Sequence, residues 1–336
     1  MIVRRAAVAA IALATLAVAS PSLEAAPLQD STMAIPVFGL GFMVEMYAQD
    51  MKLYEKHGVD MKMMQLNGLA TINAVIAGSV EFGQPSGVSL TRAAARGQPL
   101  LAIVQFTDRV PTQVVLRREI ADSLHFDPNA PLAQRAATLK GRTIAVDAVN
   151  SIIDAYLGLL GKQAGYTHDD IHVAPMEPPA MIAALKTKQI DGFAMAIPWT
   201  MMPVVDGSAV MVASGPNGDS VGLAPFASTV VAAKRETCER KPDLCRAVGQ
   251  TFVEAVAMMH TNPAEAEAVI QKRFATIDPK VLHASFLSEL EMTPNPPIPS
   301  KQAIANADDY NVEAGLMKPE EKLSSYDALF TDKYVK

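Results

Sequence analysis

The chain has 336 residues, half of them apolar, with 29 basic and 35 acidic side chains and a formal net charge of −6. That length and apolar share suit two domains with real cores, and a mildly acidic body without basic clusters argues against nucleic acid or an anionic membrane as partner. Beyond the N-terminus no stretch is long and apolar enough to span a bilayer.

Met1-Ile2-Val3-Arg4-Arg5 makes a positive start, Ala6 to Ala19 is apolar or small, and Ala17-Val18-Ala19 and Ala25-Ala26 offer cleavage sites. An apolar stretch shorter than the roughly 20 residues that cross a bilayer reads as a signal peptide, taken here as residues 1–26. No cysteine near the cleavage region could take a lipid anchor, so a soluble exported protein is expected.

Ser31 to Val37 reads as a strand, Gly39-Leu40-Gly41 as a turn, and Phe42 to His57 as one helix with Met43, Met46, Tyr47, Met51 and Tyr54 on its buried side. Gly58 stops that helix, Val59 to Gln65 alternates like a strand, and Asn67-Gly68 turns the chain into the next helix. There Ile72, Val75 and Ile76 mark a buried face that ends at Gly78, and Glu81 to Gln84 follows as a strand. Pro85-Ser86-Gly87 is a loop, Val88 to Arg96 a helix and Leu100 to Phe106 a strand. About a hundred residues on, Ile182 and Leu185 mark a second such helix, stopped near Lys188 and followed by the strand Ile190-Asp191-Gly192-Phe193. Two copies of one unit predict two α/β lobes built alike, and a cleft between them.

Between the copies, Thr112 to Leu116 is the expected crossing strand and Thr143 to Val146 a buried strand. Ser151-Ile152-Ile153-Asp154 resembles a capping box opening a helix of about fourteen residues that stops at Gly165. Val173 to Met176 reads as a strand and Pro178-Pro179 as a helix start. The chain is expected to cross back from Thr229, its remaining helices packing on the first lobe. Cys238 and Cys245 would be too far apart on one continuous helix, but Pro242 favours a break there, so a disulfide is expected in an oxidising compartment. Thr167-His168-Asp169-Asp170-Ile171-His172 holds metal-ligand residue types, yet Thr167 reads as the cap of one helical turn and His172 as the opening of a strand, so the groups diverge; no metal site is expected. The methionines fall at core spacings rather than in a copper pattern.

In order and spacing these pieces resemble the periplasmic solute-binding proteins of ABC importers, in the NMT1-like group that serves nitrate, sulfonates, taurine and thiamine-precursor pyrimidines. The segments that carry the likeness are Ala74 to Gly83, Leu139-Lys140-Gly141-Arg142-Thr143-Ile144-Ala145-Val146, the second unit up to Trp199, and the ending from Tyr310 to Phe330. Lys188 departs from the pattern, where the group usually has Gly. The resemblance implies a two-lobe α/β fold of the type II periplasmic binding protein kind, each lobe a mostly parallel sheet flanked by helices. It places lobe one at residues 27–112 plus 228–336 and lobe two at 113–227.

It also implies a small-molecule ligand, anionic and sulfonate- or carboxylate-like, delivered to a permease with its ATPase by a periplasmic monomer that needs no cofactor. Helix starts at the strand ends would offer N–H groups to such a ligand. The expected ligand-binding residues are Phe38, Gly39, Leu40, Gly41 and Phe42 after the first strand, then Asn67, Pro85 and Ser86. In lobe two they are Asn150, Ser151 and Ile152 at the capped helix, with Met176, Trp199 and Phe226 as apolar wall. The same serines would also serve as ordinary caps. No nucleophile elbow, Walker loop or HExxH is present, so no catalytic residues are expected. A ligand-presenting partner of a membrane receptor, or a secreted enzyme on the same scaffold, are the competing readings.

Overall fold

The computed structural model describes residues 27–336 except 37, 38, 67, 68 and 150. The signal-peptide expectation therefore lies outside the described residues, as do Phe38, Asn67 and Asn150.

Ten strands are described: β1 (Gln29–Ile35), β2 (Val59–Gln65), β3 (Phe82–Gly83), β4 (Leu101–Gln105), β5 (Thr112–Arg117), β6 (Thr143–Val146), β7 (His172–Pro175), β8 (Gly192–Ala196), β9 (Ala209–Ser214) and β10 (Val230–Ala233). They form two five-stranded sheets, ordered β2-β1-β3-β10-β4 and β7-β6-β8-β5-β9. In each, the second strand is flanked by two parallel neighbours, and a single antiparallel strand stands in fourth place. That antiparallel strand is the one by which the chain arrives from the other sheet: β5 after the segment 106–111, β10 after 215–229. The two lobes are thus built alike and joined twice.

The repeated unit has a structural reason for its acid. Glu81 donates its N–H to the Thr32 carbonyl at 3.2 Å and Asp191 donates to that of Thr143 at 2.9 Å, fastening the two strands to β1 and β6, the second strands of their sheets. The Glu81 carboxylate accepts from Ser31 at 2.6 Å, and that of Asp191 accepts from the Thr143 N–H at 3.0 Å and from Arg117 at 3.1 Å. Both acids stitch strand ends.

The helix expected over Phe42 to His57 is broken. It runs as Met43–Asp50 and Leu53–Lys56, with Lys52 in the left-handed region at φ 54°. Arg273 clasps the Asp50 carboxylate with two bonds of 2.7 Å at the end of the first piece. Met43, Met46, Tyr47 and Tyr54 are buried, whereas Met51, at the break, is only partly so.

After β10 the helix Arg235–Arg240 stops, Lys241 leaves helical geometry at φ −128° and ψ 61°, and Pro242 opens a 20-residue helix to Thr261. The break brings the Cα atoms of Cys238 and Cys245 to 5.5 Å, and the two are disulfide-bonded. The 242–261 helix packs on Met43–Asp50 and on β4, and the helix Lys301–Glu313 packs on Gly87–Ala95, so the C-terminal third closes the first lobe.

Candidate functional site

A cavity of about 410 Å³ lies where the lobes meet. Its lobe-one wall is Gly39 to Phe42, with a 3-10 turn over Leu40–Phe42, together with Glu289 and Met292 from the end of the helix Pro279–Glu291. Its lobe-two wall is Met195 to Trp199 at the end of β8. Thr107, Pro111, Ser228 and Thr229, from the two crossing segments, complete it. The volume suits a small organic molecule.

The crossing segments are bonded to each other. The Phe106 N–H donates to the Thr229 carbonyl at 3.0 Å, the Thr229 N–H to Thr107 Oγ1 at 2.9 Å, and the Phe226 N–H to the Asp108 carbonyl at 2.6 Å. The two connections thus lie side by side at the edge of the cavity. Trp199 is half-buried, and the next residue, Thr200, is fully buried with its hydroxyl donated to Gln113 Oε1 on β5; Gln113 in turn donates to Ser214 Oγ at 3.0 Å. The indole is therefore carried on a fixed backbone.

Glu289 is the one charged side chain on the described cavity wall. It is only 4% exposed, and among the described residues no hydrogen bond or ion pair reaches its carboxyl; burial pushes its pKa up to about 8. Arg109, on the neighbouring crossing segment, is committed elsewhere: to Glu291 at 3.0 Å, to the Pro216 carbonyl at 2.5 Å and to Asp108 at 3.7 Å.

Of the expected ligand-binding residues, Gly39, Leu40, Gly41, Phe42 and Trp199 come together on this cavity. Of the others, the described ones are not on its wall. Pro85 is buried and its carbonyl accepts from Val230 at 3.1 Å, while Ser86 caps its helix by accepting from the Ser89 N–H. The N-terminus of that helix is plugged: the Gly87 N–H donates to the Ala227 carbonyl at 3.0 Å, and a Cβ at Gly87 would stand 2.4 Å from that oxygen. Ser151 accepts from the Asp154 N–H and donates to Asp147, and the Ile152 carbonyl accepts the Tyr310 hydroxyl. Phe226, expected as a cavity wall, is a core residue 1% exposed, its ring edge-on to Tyr310 at 5.5 Å. Met176 packs beside the Met181 and Phe193 cluster of lobe two. Thr167 and Asp170 form the turn cap, and His168 turns to Asp154 at 2.7 Å.

Glu289, Met195 and Met292 were not among the expected residues. A signal for Glu289 did exist: Leu282, Phe286, Glu289 and Thr293 fall on one helical stripe and are all buried, so the acid stands at an apolar position.

A family model described as NMT1/THI5 like matches residues 41–266, well over half of the chain. A protein of Brucella abortus (strain 2308) whose name goes no further than "binding protein" is 28% identical over 243 residues, 71% of this chain and 69% of its own. The periplasmic aliphatic sulphonate binding protein SsuA from Escherichia coli superposes with a TM-score of 0.69 at 19% identity, covering 92% of this chain and 99% of that one. The desulfurization enzyme DSZB also superposes, with a TM-score of 0.60 at 12% identity over 90% of this chain and 97% of its own. A shared fold thus leaves binding and catalysis to be argued from the site. The chain belongs to the NMT1/THI5-like family and has the periplasmic binding protein fold.

Proposed function

We propose that this is the solute-binding component of an ABC importer: an exported, monomeric periplasmic protein, with lobe boundaries near residues 112 and 228, that captures a small organic molecule between its lobes and delivers it to a permease. The observation that carries the reading is the cavity itself, walled by both lobes and bordered by both crossing segments. A ligand there touches both halves only when they are together, so its binding favours the closed form.

The lobes also meet outside the cavity, through the Tyr310 hydroxyl on the Ile152 carbonyl and the exposed pair Lys162 and Glu313 at 3.4 Å. Opening would give up these contacts to water, and a ligand bridging the lobes would favour keeping them. The described cavity wall carries no Ser, His or Cys set arranged for nucleophilic attack, which favours capture over catalysis. A sulfonate or carboxylate, as the resemblance implies, would have to direct its charge away from Glu289, toward the hydroxyls of Thr107, Ser228 and Thr229.

The test is thermal melting of the mature protein against a panel of sulfonates, carboxylates, amines and pyrimidines, followed by solution scattering. A true ligand at a hundred times its Kd stabilises by about 2.7 kcal/mol and reduces the radius of gyration. Stabilisation without compaction would remove lobe closure; a panel without a stabilising member would count against solute capture.

A further inference from the structure

We infer that Glu289 is the recognition point for a basic nitrogen, so that the solute is an organic cation, or carries an ammonium, amidinium or guanidinium group, beside an apolar body. The inference rests on the cavity being a solute site and names the chemistry the solute must bring.

The argument starts from the scarcity of unpaired buried acids. A carboxyl removed from water without a partner is costly, and buried polar groups are nearly always hydrogen-bonded. The other buried glutamate of this lobe is at least partnered within the fold: Glu45 accepts through Oε2 from the Tyr54 hydroxyl at 2.8 Å and from Gln84 Nε2 at 2.7 Å, although its Oε1 has no partner. Glu289 has neither, although Ser288, Leu290 and Met292 around it are buried as well. What distinguishes Glu289 is that it faces the cavity. A partner arriving from outside accounts for the acid.

The surroundings select the sign of that partner. No Lys or Arg is on the described cavity wall, and the nearby charges of Asp108, Arg109 and Glu291 are engaged with one another. An anionic head group beside Glu289 would meet a like charge or force the carboxyl to stay protonated. A cation does the reverse: without a cation the acid is largely neutral at neutral pH, because burial lifts its pKa to about 8, and the cation displaces the proton and forms an ion pair in a low-dielectric site. Phe42 and Trp199, both half-buried on the cavity, add aromatic surface that cations favour, and Met195 and Met292 accept the apolar body.

The test uses two probes with the same ring and opposite charge, benzylammonium and benzenesulfonate, titrated into the wild-type protein and Glu289→Gln with Trp199 fluorescence and calorimetry as readouts. Benzylammonium is expected to bind the wild type at least tenfold more tightly than benzenesulfonate, with proton release seen as a buffer-dependent heat near neutral pH. Glu289→Gln, which keeps the shape, is expected to lose about tenfold for benzylammonium alone. A saturable preference for benzenesulfonate, or benzylammonium affinity unchanged in Glu289→Gln, overturns the inference and leaves solute capture standing. If neither probe saturates in either protein while both melt cooperatively, the cavity is not a site for solutes of this size and the proposed function falls with the inference. The wild-type comparison decides the matter even should Glu289→Gln fail to fold.

Discussion

Gly41 and Glu289 come from segments almost 250 residues apart and face each other on the same wall: a Cβ placed on Gly41 would lie 3.7 Å from Glu289 Oε1. That is ordinary van der Waals distance, so Gly41→Ala needs no rearrangement, yet its methyl would cover part of the carboxyl that the cavity exposes. Stability in denaturant titration is expected to stay within about 0.5 kcal/mol of wild type, while benzylammonium affinity falls severalfold. Unchanged affinity would mean that the ligand does not approach Glu289 past Gly41.

Trp199→Ala separates wall from scaffold. The backbone around it is held by Thr200 and Gln113, not by the indole, and the ring is only half-buried. The substitution is expected to cost about 1 kcal/mol, well under the 3–5 kcal/mol of emptying a full aromatic core site, while ligand affinity drops about tenfold. An unfolded variant would show that the ring is core; a variant with wild-type affinity would remove it from the site.

The architecture was legible because it is written in periodicity. Helices of apolar spacing followed by short strands, repeated once, announced two similar lobes, and the serine caps and Gly stops at Ser86, Ser151 and Gly165 fell at helix ends. The cavity was legible only where a local signal coincided with it, as at Gly39 to Phe42 and Trp199. What closes the Ser86 helix start is the Ala227 carbonyl, 140 residues downstream, and no local pattern reports a contact of that separation. Glu289 was missed for a different reason: it stands on a buried helical stripe, but an acid in a helix is ordinarily a solvated one. The break at Lys52 is likewise unannounced, for Lys is a poor candidate for a left-handed turn.

Two buried glutamates set a pH dependence of known sign. Burial raises both Glu45, against the opposing hydrogen bonds from Tyr54 and Gln84, and Glu289 to about 8 from an ordinary value of 4.5. The folded state therefore holds more protons than the unfolded chain between those values, and the stability linked to these groups is full below about 4.5 and is lost as pH rises through 8. Denaturation of the ligand-free protein is expected to show a loss of a few kcal/mol from about pH 6 to about pH 9, and Glu289→Gln to remove part of that slope. The carboxylates held low, such as Glu254 beside Lys56 and His57, act in the other window, where acidification protonates them. A flat profile between neutral and alkaline pH would show that both acids are better solvated than their burial indicates.

The disulfide is expected to contribute through the unfolded chain. Cys238 and Cys245 are seven residues apart, and closing so short a loop is worth roughly 2.5 kcal/mol in the chain-entropy account. The double variant Cys238→Ser with Cys245→Ser should lose about that much in urea titration while keeping its ligand affinity, since neither residue is on the cavity wall. Loss of affinity with retained stability would contradict this.

The two repeated units end their helices by the same backbone device with different residues. Gly78 has φ 77° and Lys188 φ 64°, and in both the next residue donates back into the last helical turn: Ser79 to Ala74 at 2.9 Å and Gln189 to Ala184 at 2.9 Å. Glycine takes the left-handed conformation freely, whereas a residue with a Cβ is strained there by about 1 kcal/mol. What Lys188 gains in exchange is an ion pair with Glu119 at 2.7 Å, but both side chains are more than half exposed, and such pairs contribute little. Lys188→Gly is therefore expected to stabilise the fold by about 0.5 kcal/mol, the relief of strain outweighing both the lost pair and the added freedom of the unfolded chain. Lys188→Ala, which removes the pair and keeps the strain, should destabilise slightly. If high salt erased the difference between wild type and Lys188→Ala while Lys188→Gly remained the more stable, backbone conformation would be established as the larger effect; a Lys188→Gly variant less stable than wild type at low salt would show instead that the Glu119 pair outweighs the strain.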